Sequence, residues 1–352
     1  MEDSKIIEGL RKVSEHNNLD AKEAEDIMKE IMLGRVSNAQ LGAFLVALKM
    51  KGESIDEITG FAKAMRNFSN QITPKVQGDL IDTCGTGGDK IKTFNISTVS
   101  AFVVSGAGVA VAKHGNRAVT SKCGSADLLE GLGVNINLDP EGVKKCIENV
   151  GIGFMFAPLF HPAMKYAMST RKELKIRTVF NILGPLTNPA NAKCHTLGVF
   201  DKDLVPIMAK VLGNGLGAKH VFAVHNSYGI DELVPFGINY ITEFCKGNCE
   251  NYAITNKDFN IADCTFNDVL AGSLNNNLEI AVNILKNKII DAKYNTVLMN
   301  AAISLTSAGV AKDFKDGVAI AKESLQSGKA FEKLEKLIQF SGGNLDRLKS
   351  LI

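Results

Sequence analysis

The chain has 352 residues, of which 45% are hydrophobic and 22% charged; this is typical of a folded protein with two domains or one large α/β body and excludes global disorder. The formal net charge of +2, without a basic stripe, argues against a nucleic-acid partner, and no apolar stretch approaches the ~20 residues of a membrane span. Because the N-terminus lacks an export signal and the seven scattered cysteines fit reduced thiols, we expect a cytoplasmic protein without a membrane partner.

Residues 1–72 are predicted to form a small helical domain. Three pairs have the capping-box spacing, in which the first side chain accepts from an early backbone N–H and the second reaches back. They are Asp20 with Glu23, Ser37 with Gln40, and Ser54 with Glu57. After each cap, apolar residues recur every three or four positions, as on one buried helical face. They are Ala24, Ile27, Met28, Ile31 and Met32, then Leu41, Phe44, Leu45 and Leu48, then Ile58, Phe61, Ala62 and Met65.

Residues 73–352 are predicted to form a larger α/β domain. Runs rich in β-forming residues alternate with helical stretches, which indicates a mostly parallel central sheet flanked by helices. The predicted strands lie at 80–81, 109–112, 152–156, 196–200 and 221–224, and the helices at 128–132, 140–149 and 204–212. Residues 239–244 and 250–254 flank Gly247-Asn248 and are typical of a local hairpin. Helices return from about residue 277 to the end of the chain.

The segment near residues 163–190 fits neither block. A helix is predicted from His161-Pro162 through Leu174, and residues 177–189 follow it. Two basic residues of this region, Arg171 and Arg177, lie between apolar stretches. We expect the segment to leave the sheet domain and pack beside the first helices.

The strongest local signal is the glycine-rich stretch from Asp82 to Asp89, which follows a predicted strand and precedes a helix start at Asn95. Its glycines allow the backbone to approach a ligand closely, and the helix start offers N–H groups and a positive dipole end to an anion. The spacing does not fit a P-loop, because Asp89-Lys90-Ile91 follows the glycines. It does not fit a dinucleotide-binding fingerprint either, because Lys90 occupies the place of the third glycine. From the glycines alone, a tight turn without a ligand is an equally good interpretation.

A second signal follows the strand at 109–112. In a parallel sheet, ligands collect at the carboxyl ends of the strands, and Lys113 suits phosphate as a point charge. His114 beside it is as consistent with a structural as with a catalytic role. A hydroxyl-rich loop at 120–127 then opens another helix, which is a second platform for an anion.

A third signal, Asp231-Glu232, follows the strand at 221–224. Adjacent carboxylates in a loop are commonly just solvated, but two acids facing the same crevice could hold Mg²⁺. Cys245 and Cys249, four residues apart without a second pair nearby, are a poor match to paired zinc ligands.

Together these signals resemble the anthranilate phosphoribosyltransferase family of tryptophan biosynthesis. The shared stretches are DTCGTGGDKIKTFNIST at 82–98, KHGNRAVTSKCGSAD at 113–127, RTVFNILGPLTNP at 177–189 and GIDEL at 229–233. The resemblance covers nearly the whole chain. It implies that the amine of anthranilate displaces pyrophosphate from C1 of 5-phosphoribosyl diphosphate (PRPP), which the larger domain binds with Mg²⁺ as cofactor. It further implies a homodimer joined through the helical domain.

The resemblance also implies roles for individual residues. Those expected to bind PRPP are Gly85, Gly88, Asp89, Thr93, Asn95, Ile96, Ser97, Thr98, Lys113, Ser121 and Ser125. Those expected to serve Mg²⁺ are Ser97, Asp231 and Glu232. Those expected to contact anthranilate or line its path are Gly85, His114, Asn116, Arg171 and Pro185, and no general base is assigned. Two departures are Cys123, where Ser is common in the family, and residues 225–228, which replace a more glycine- and acid-rich approach.

Two rival functions remain open. The helix-first architecture is shared with pyrimidine nucleoside phosphorylases, in which phosphate attacks a sugar that carries a nucleobase. The glycine-loop sequence and residues 177–189 argue for the transferase instead. The other rival is a non-enzymatic relative that binds nucleic acid, and the near-neutral charge argues against it.

Overall fold

The computed structural model describes residues 4–88, 91, 93–118 and 123–352. The chain begins with four α-helices. They are α1 (Lys5–Ser14), α2 (Ala21–Met32), α3 (Asn38–Lys51) and α4 (Ile55–Asn67). All three predicted capping boxes are present at the starts of α2, α3 and α4, and every residue of the predicted apolar stripes is buried. The small helical domain is therefore confirmed.

Strands and helices alternate in the larger domain. The strands are β1 (Ile81–Gly85), β2 (Val111–Gly115), β3 (Ile152–Phe156), β4 (Cys194–Gly198), β5 (His220–Asn226), β6 (Asn239–Cys245) and β7 (Asn248–Ile254). The helices up to β5 are α5 (Ile96–Gly106), α6 (Ser125–Gly131), α7 (Pro140–Val150), α8 (Ala157–Phe160), α9 (Lys165–Leu174), α10 (Phe180–Leu183) and α11 (Val205–Lys210). The C-terminal helices are α12 (Leu274–Leu285), α13 (Ala292–Ser307), α14 (Phe314–Gln326), α15 (Lys329–Phe340) and α16 (Leu345–Lys349).

The seven strands form one sheet in the order β3-β2-β1-β4-β5-β6-β7. The five strands from β3 to β5 are parallel, and β6 and β7 add an antiparallel hairpin beside β5. This confirms the mostly parallel sheet. The carboxyl ends of β1, β2, β4 and β5 consequently lie at one edge, where open parallel sheets bind their ligands.

The segment that includes α9 packs beside the first helices. The hydroxyl of Thr170 donates to Asn38 Oδ1 at 3.2 Å, and the ring of Tyr166 lies close against the backbone of Gly34. Ala167, on the same helix, is fully buried in the core shared with α2 and α3. The chain therefore returns to its helical start before it continues into β4.

Several predicted boundaries were wrong. Strand β1 extends to Gly85, because all five of its residues pair with β4. Strand β2 includes Lys113 and His114, which pair with β3 and so lie within the strand rather than after it. The helix predicted from residue 161 begins at Lys165 after a 3₁₀ turn, and α11 continues as a π-helical turn over Val211–Gly215.

Among the described residues, no helix combines the length and the apolar character that a membrane crossing requires.

Candidate active site

The glycine turn after β1 lies directly against the acidic loop after β5. The backbone N–H of Gly87 donates to Asp231 Oδ2 at 2.9 Å. A Cβ atom at Gly85 would lie 2.7 Å from the same oxygen, and one at Gly198 would lie 1.6 Å from the Asp231 carbonyl oxygen. Glycine is therefore needed at both strand ends, because Asp231 fills the space of a side chain with its carboxylate at Gly85 and with its backbone carbonyl at Gly198.

The second acid contacts the start of α5. Glu232 Oε1 accepts a hydrogen bond from the backbone N–H of Ser97 at 3.2 Å. Just before the helix, Asn95 donates from its amide to the Cys123 carbonyl, while its buried Oδ1 has no hydrogen-bond partner in the described part of the chain. The positive end of the helix dipole and an unused polar atom thus face the same region as the carboxylates.

Lys113, on β2, contacts both β1 and the start of α5. Its Nζ donates to the carbonyl of Thr83 and lies 3.4 Å from Ser97 Oγ. The side chain is almost fully buried, which lowers the pKa of the ammonium, although the nearby Asp82 carboxylate opposes that shift. The glycine turn, the lysine and the twin acids, which are far apart in the sequence, are therefore brought together at one edge of the sheet.

Two buried histidines lie beside this group. The rings of His114 and His161 are 5.0 Å apart between centroids, and each forms a hydrogen bond with the backbone of the turn at residues 184–187. Burial lowers the pKa of His114 well below its usual range and that of His161 to about 4, so both rings are uncharged at neutral pH. The Nε2 atoms of both are buried without a hydrogen-bond partner among the described residues, and Pro185 is buried in the same turn.

The other predicted site residues surround this centre or lie outside the described residues. Ser125 begins α6 and donates to the carbonyl of the exposed Asn116 at 3.2 Å. The half-buried Arg171, on α9, holds its guanidinium 5.2 Å from the centroid of the Phe180 ring. Thr93 forms a β-bridge with residue 270, while Gly88, Ile96 and Thr98 belong to the glycine turn or to the first turn of α5. Asp89 and Ser121 lie outside the described residues.

Four further residues, whose roles the sequence did not predict, organise this edge. The guanidinium of Arg177 donates to the Gly88 carbonyl and lies 4.2 Å from the Phe200 ring centroid. Asn188 Nδ2 donates to Asp82 Oδ2 at 2.7 Å and to the Ala112 carbonyl at 2.8 Å. Arg177, Asn188 and Asp82 all belong to the stretches that resemble the family. Their position in those stretches could have identified them as candidates. His161 had no such signal, because only the fold brings it to His114.

The acidic loop suits a hard divalent cation. Asp231, Glu232 and the Ser97 hydroxyl offer oxygen ligands, which Mg²⁺ prefers. Burial raises the pKa of the Asp231 carboxyl, although the hydrogen bond from Gly87 lowers it. A cation at this position would stabilise the carboxylate against that burial.

The matched families divide the chain as the fold does. Residues 7–69 match a family described as the glycosyl transferase family, helical bundle domain, and residues 77–331 match the glycosyl transferase family, a/b domain.

Close relatives match over nearly their full lengths. An anthranilate phosphoribosyltransferase from Persephonella marina is 47% identical over 96% of this chain and 99% of its own. One from Aquifex aeolicus is 45% identical over 96% of this chain and 98% of its own.

Solved structures of anthranilate phosphoribosyltransferases have the same fold as this chain. The crystal structure of the Thermus thermophilus anthranilate phosphoribosyltransferase superposes with a TM-score of 0.89 at 40% identity, covering 95% of this chain and 99% of that one. The Saccharomyces cerevisiae enzyme, in complex with PRPP and Mg, superposes with a TM-score of 0.88 at 27% identity, covering 97% of this chain and 98% of that one.

Proposed function

Because the chain belongs to the anthranilate phosphoribosyltransferase family, we infer that it transfers the 5-phosphoribosyl group of PRPP to the amine of anthranilate, with release of pyrophosphate, in tryptophan biosynthesis. The observation that carries this inference is the contact of Asp231 with the glycine turn and of Glu232 with the start of α5, beside Lys113. This arrangement supplies cations, backbone donors and metal ligands where a diphosphate would leave.

We propose that the anions of PRPP bind along the glycine turn and the first turn of α5. The residues of this proposed site are Gly85, Gly88, Asp89, Thr93, Asn95, Ile96, Ser97, Thr98, Lys113, Ser121 and Ser125. Backbone N–H groups and the helix dipole favour phosphate there. The buried ammonium of Lys113 adds a charge whose interaction with an anion is little screened by water.

Mg²⁺ is the cofactor we propose for this site, held by Ser97, Asp231 and Glu232. When bound, it would supply positive charge to the diphosphate as that group leaves. The carboxylates keep this position only because their loop is anchored on the glycine turn and on α5. That anchoring holds the ligands in place before the substrate arrives, which is how preorganised sites stabilise developing charge.

We propose that anthranilate binds beside His114, with Gly85, Asn116, Arg171 and Pro185 around it. The planar fork of Arg171 matches a carboxylate. The neutral His114 ring can hydrogen-bond without adding a charge that would repel the cationic sugar carbon formed as pyrophosphate leaves. An aromatic amine is already nucleophilic at neutral pH, so positioning contributes most and a strong base is unnecessary.

The turnover assay tests the inference. Purified protein with Mg²⁺, PRPP and anthranilate should consume anthranilate, as followed by its fluorescence. Omitting PRPP is the control and should abolish the change. The rival phosphorylase function predicts instead the release of free base from thymidine or uridine with phosphate, and that result without anthranilate consumption would contradict our inference.

Arg171→Ala should raise the KM for anthranilate about tenfold or more, because a charge-assisted hydrogen bond is lost. The KM for PRPP should change little. Lys172→Ala is the matched control, since Lys172 is the next residue on α9 and is exposed. An unchanged anthranilate KM in the Arg171 variant would remove this residue from the proposed site.

We also propose that residues 1–72, with the segment near 163–190, act as one domain and form the interface of a homodimer, while residues 73–352 bind PRPP. Supporting this, Met50 on α3 is 76% exposed, and Tyr166 and Met168 on α9 are also exposed. Exposed apolar side chains on two helices of this domain provide surface that an interface would bury. Light scattering should give twice the mass of the chain, and a monomeric mass would contradict the proposal. A cytoplasmic location remains a prediction.

A further inference from the structure

The sheet carries a second cluster of ligating side chains at the end opposite to the candidate active site. Cys194, His220 and Cys245 are register partners on the adjacent strands β4, β5 and β6. Paired residues on neighbouring strands project to the same face, so the three side chains form a row across the sheet. Cys194 begins β4 and Gly198 ends it, which separates this row from the glycine turn by about 13 Å along the strand.

Glu243 completes the cluster. It lies two positions before Cys245 on β6 and therefore points to the same face. Its Oε1 is 2.7 Å from His220 Nε2. One ligating atom from each of His220, Glu243 and Cys245 lies within 4.8 Å of the others, and all three residues are half-buried.

We propose that His220, Glu243 and Cys245 bind one Zn²⁺ ion, or a similar borderline-soft divalent cation. Imidazole nitrogen, carboxylate oxygen and thiolate sulfur are all zinc ligands, and three protein ligands leave the fourth tetrahedral position to water. At zinc–ligand bond lengths the ligating atoms stand about 3.4–3.7 Å apart, so side-chain rotations of about 1 Å assemble the site. A proton leaves the Cys245 thiol, and His220 releases its Nε2 proton to solvent while Nδ1 takes one up. The metal then takes the place between His220 Nε2 and Glu243 Oε1.

Surrounding residues already orient these ligands. The hydroxyl of Tyr252 donates to Glu243 Oε2 at 2.8 Å, and the His220 ring packs 4.7 Å from the centroid of Phe222. Partners of this kind fix the orientation of metal ligands. The nearby ammonium of Lys219 is paired with Asp79 at 2.7 Å, so its charge is balanced by that carboxylate.

The site is open to solvent. A cleft of about 400 Å³ runs along this end of the sheet and is lined by Cys194, His220 and Cys245, among other residues. A hydrated ion can therefore reach the ligands. The hydrogen bonds from His220 and Tyr252 to Glu243 would stabilise the hairpin without a metal, but they do not account for a thiol within reach of both ligands.

Cobalt is the probe that tests the proposal. Chelator-treated protein titrated with Co²⁺ should develop the thiolate-to-metal charge-transfer absorption at one equivalent, and Zn²⁺ should displace it. This absorption requires a cysteine ligand, so the oxygen ligands of the candidate active site cannot produce it. Absence of the band in the wild-type protein would overturn the proposal.

Variants locate the site. Cys245→Ser should abolish the charge-transfer band, and His220→Gln should weaken Co²⁺ binding at least tenfold. Tyr252→Phe should weaken it about tenfold, because the orienting hydrogen bond is lost. Cys249→Ser is the matched control, since Cys249 packs on the opposite face of the hairpin, and the band should persist. A band that survives in Cys245→Ser and disappears in Cys249→Ser would place the metal elsewhere.

Two further readouts separate this site from the transferase chemistry. Zn²⁺ should raise the melting temperature of the wild-type protein and not that of Cys245→Ser, because a ligand stabilises only the state that binds it. Cys245→Ser should retain wild-type transfer of the phosphoribosyl group with Mg²⁺. Loss of zinc stabilisation with retained turnover supports the metal site, whereas equal zinc stabilisation of both proteins contradicts it.

Discussion

The helical domain and the carboxyl edge of the sheet each contain a buried carboxylate, and the two carboxylates differ in how far the protein neutralises their charge. Glu57 is fully buried and accepts from the backbone N–H groups of Leu19 at 3.0 Å and Ser54 at 2.7 Å, and it pairs with Lys51 at 2.9 Å. Asp231 is also buried, accepts from Gly87, and has its pKa raised by burial. Glu57 is paired within the fold, whereas Asp231 keeps a charge that the protein itself balances only in part.

This contrast indicates which buried polar groups stabilise the fold and which bind a ligand. Buried polar groups cost free energy unless they are satisfied, so unsatisfied ones persist where a ligand completes them. Five buried side-chain atoms have no hydrogen-bond partner among the described residues. Three of them, the Nε2 atoms of His114 and His161 and the Oδ1 of Asn95, belong to the same edge as Asp231. We therefore expect substitutions in the helical domain to change stability and substitutions at this edge to change turnover.

The largest effect should come from Glu57→Ala. Removing one partner of a buried ion pair leaves the Lys51 ammonium without its opposite charge and two backbone N–H groups without their acceptor. We expect a loss of about 3–5 kcal/mol in the free energy of unfolding. Urea denaturation measures it. Turnover per folded molecule should remain at the wild-type level. A loss of kcat at low temperature, where the variant is folded, would contradict the expectation that this domain affects stability and not turnover. Exposed Glu15, at the end of α1, provides the control, since Glu15→Ala should leave stability nearly unchanged.

Asp231→Asn should show the opposite pattern. The amide oxygen can still accept from Gly87, but the charge that holds the cation is gone, and we expect turnover to fall roughly 100- to 1000-fold. The melting temperature should stay level or rise, because a buried group whose pKa is raised is destabilising as an anion. A variant that lost stability and retained turnover would reverse our assignment of this residue. The anthranilate assay and thermal unfolding give the two readings.

The smallest of the three effects is a pH dependence carried by His161. Its pKa is about 4 in the folded protein, because it is buried, against 6.5 for an unperturbed ring. Between these values the unfolded chain binds more protons, so stability is fully present above pH 6.5 and falls as the pH drops toward 4, by up to roughly 3 kcal/mol.

Denaturation of His161→Gln across this range should give a shallower slope than the wild type. His16→Asn in the helical domain is the control, because His16 is exposed at a positive φ of 61°, which Asn accepts readily. Its slope should match the wild type. If His161→Gln kept the full slope, the pH dependence would have to come from other buried groups, such as His195, whose pKa is about 3.

The same two regions differ in how far sequence could predict them. The capping pairs of the helical domain are three residues apart, so each can be recognised within one turn of helix. The site depends on contacts between distant residues: 144 positions separate Gly87 from Asp231. Resemblance supplied the residue types and the parallel sheet supplied the shared edge, but neither indicated that His161 lies against His114 or that Lys113 lies within a strand. Those facts follow from strand register and packing, which no local pattern contains.

The dependence of the site on distant contacts also has a kinetic consequence. The helices of the first domain need only neighbouring residues and can form early, whereas the Asp231–Gly87 contact closes a loop of more than a hundred residues and must form late. A refolding chain therefore has no substrate site until its last long-range contacts are made. Added substrate should then slow unfolding of the finished protein and leave the rate at which the chain refolds unaltered.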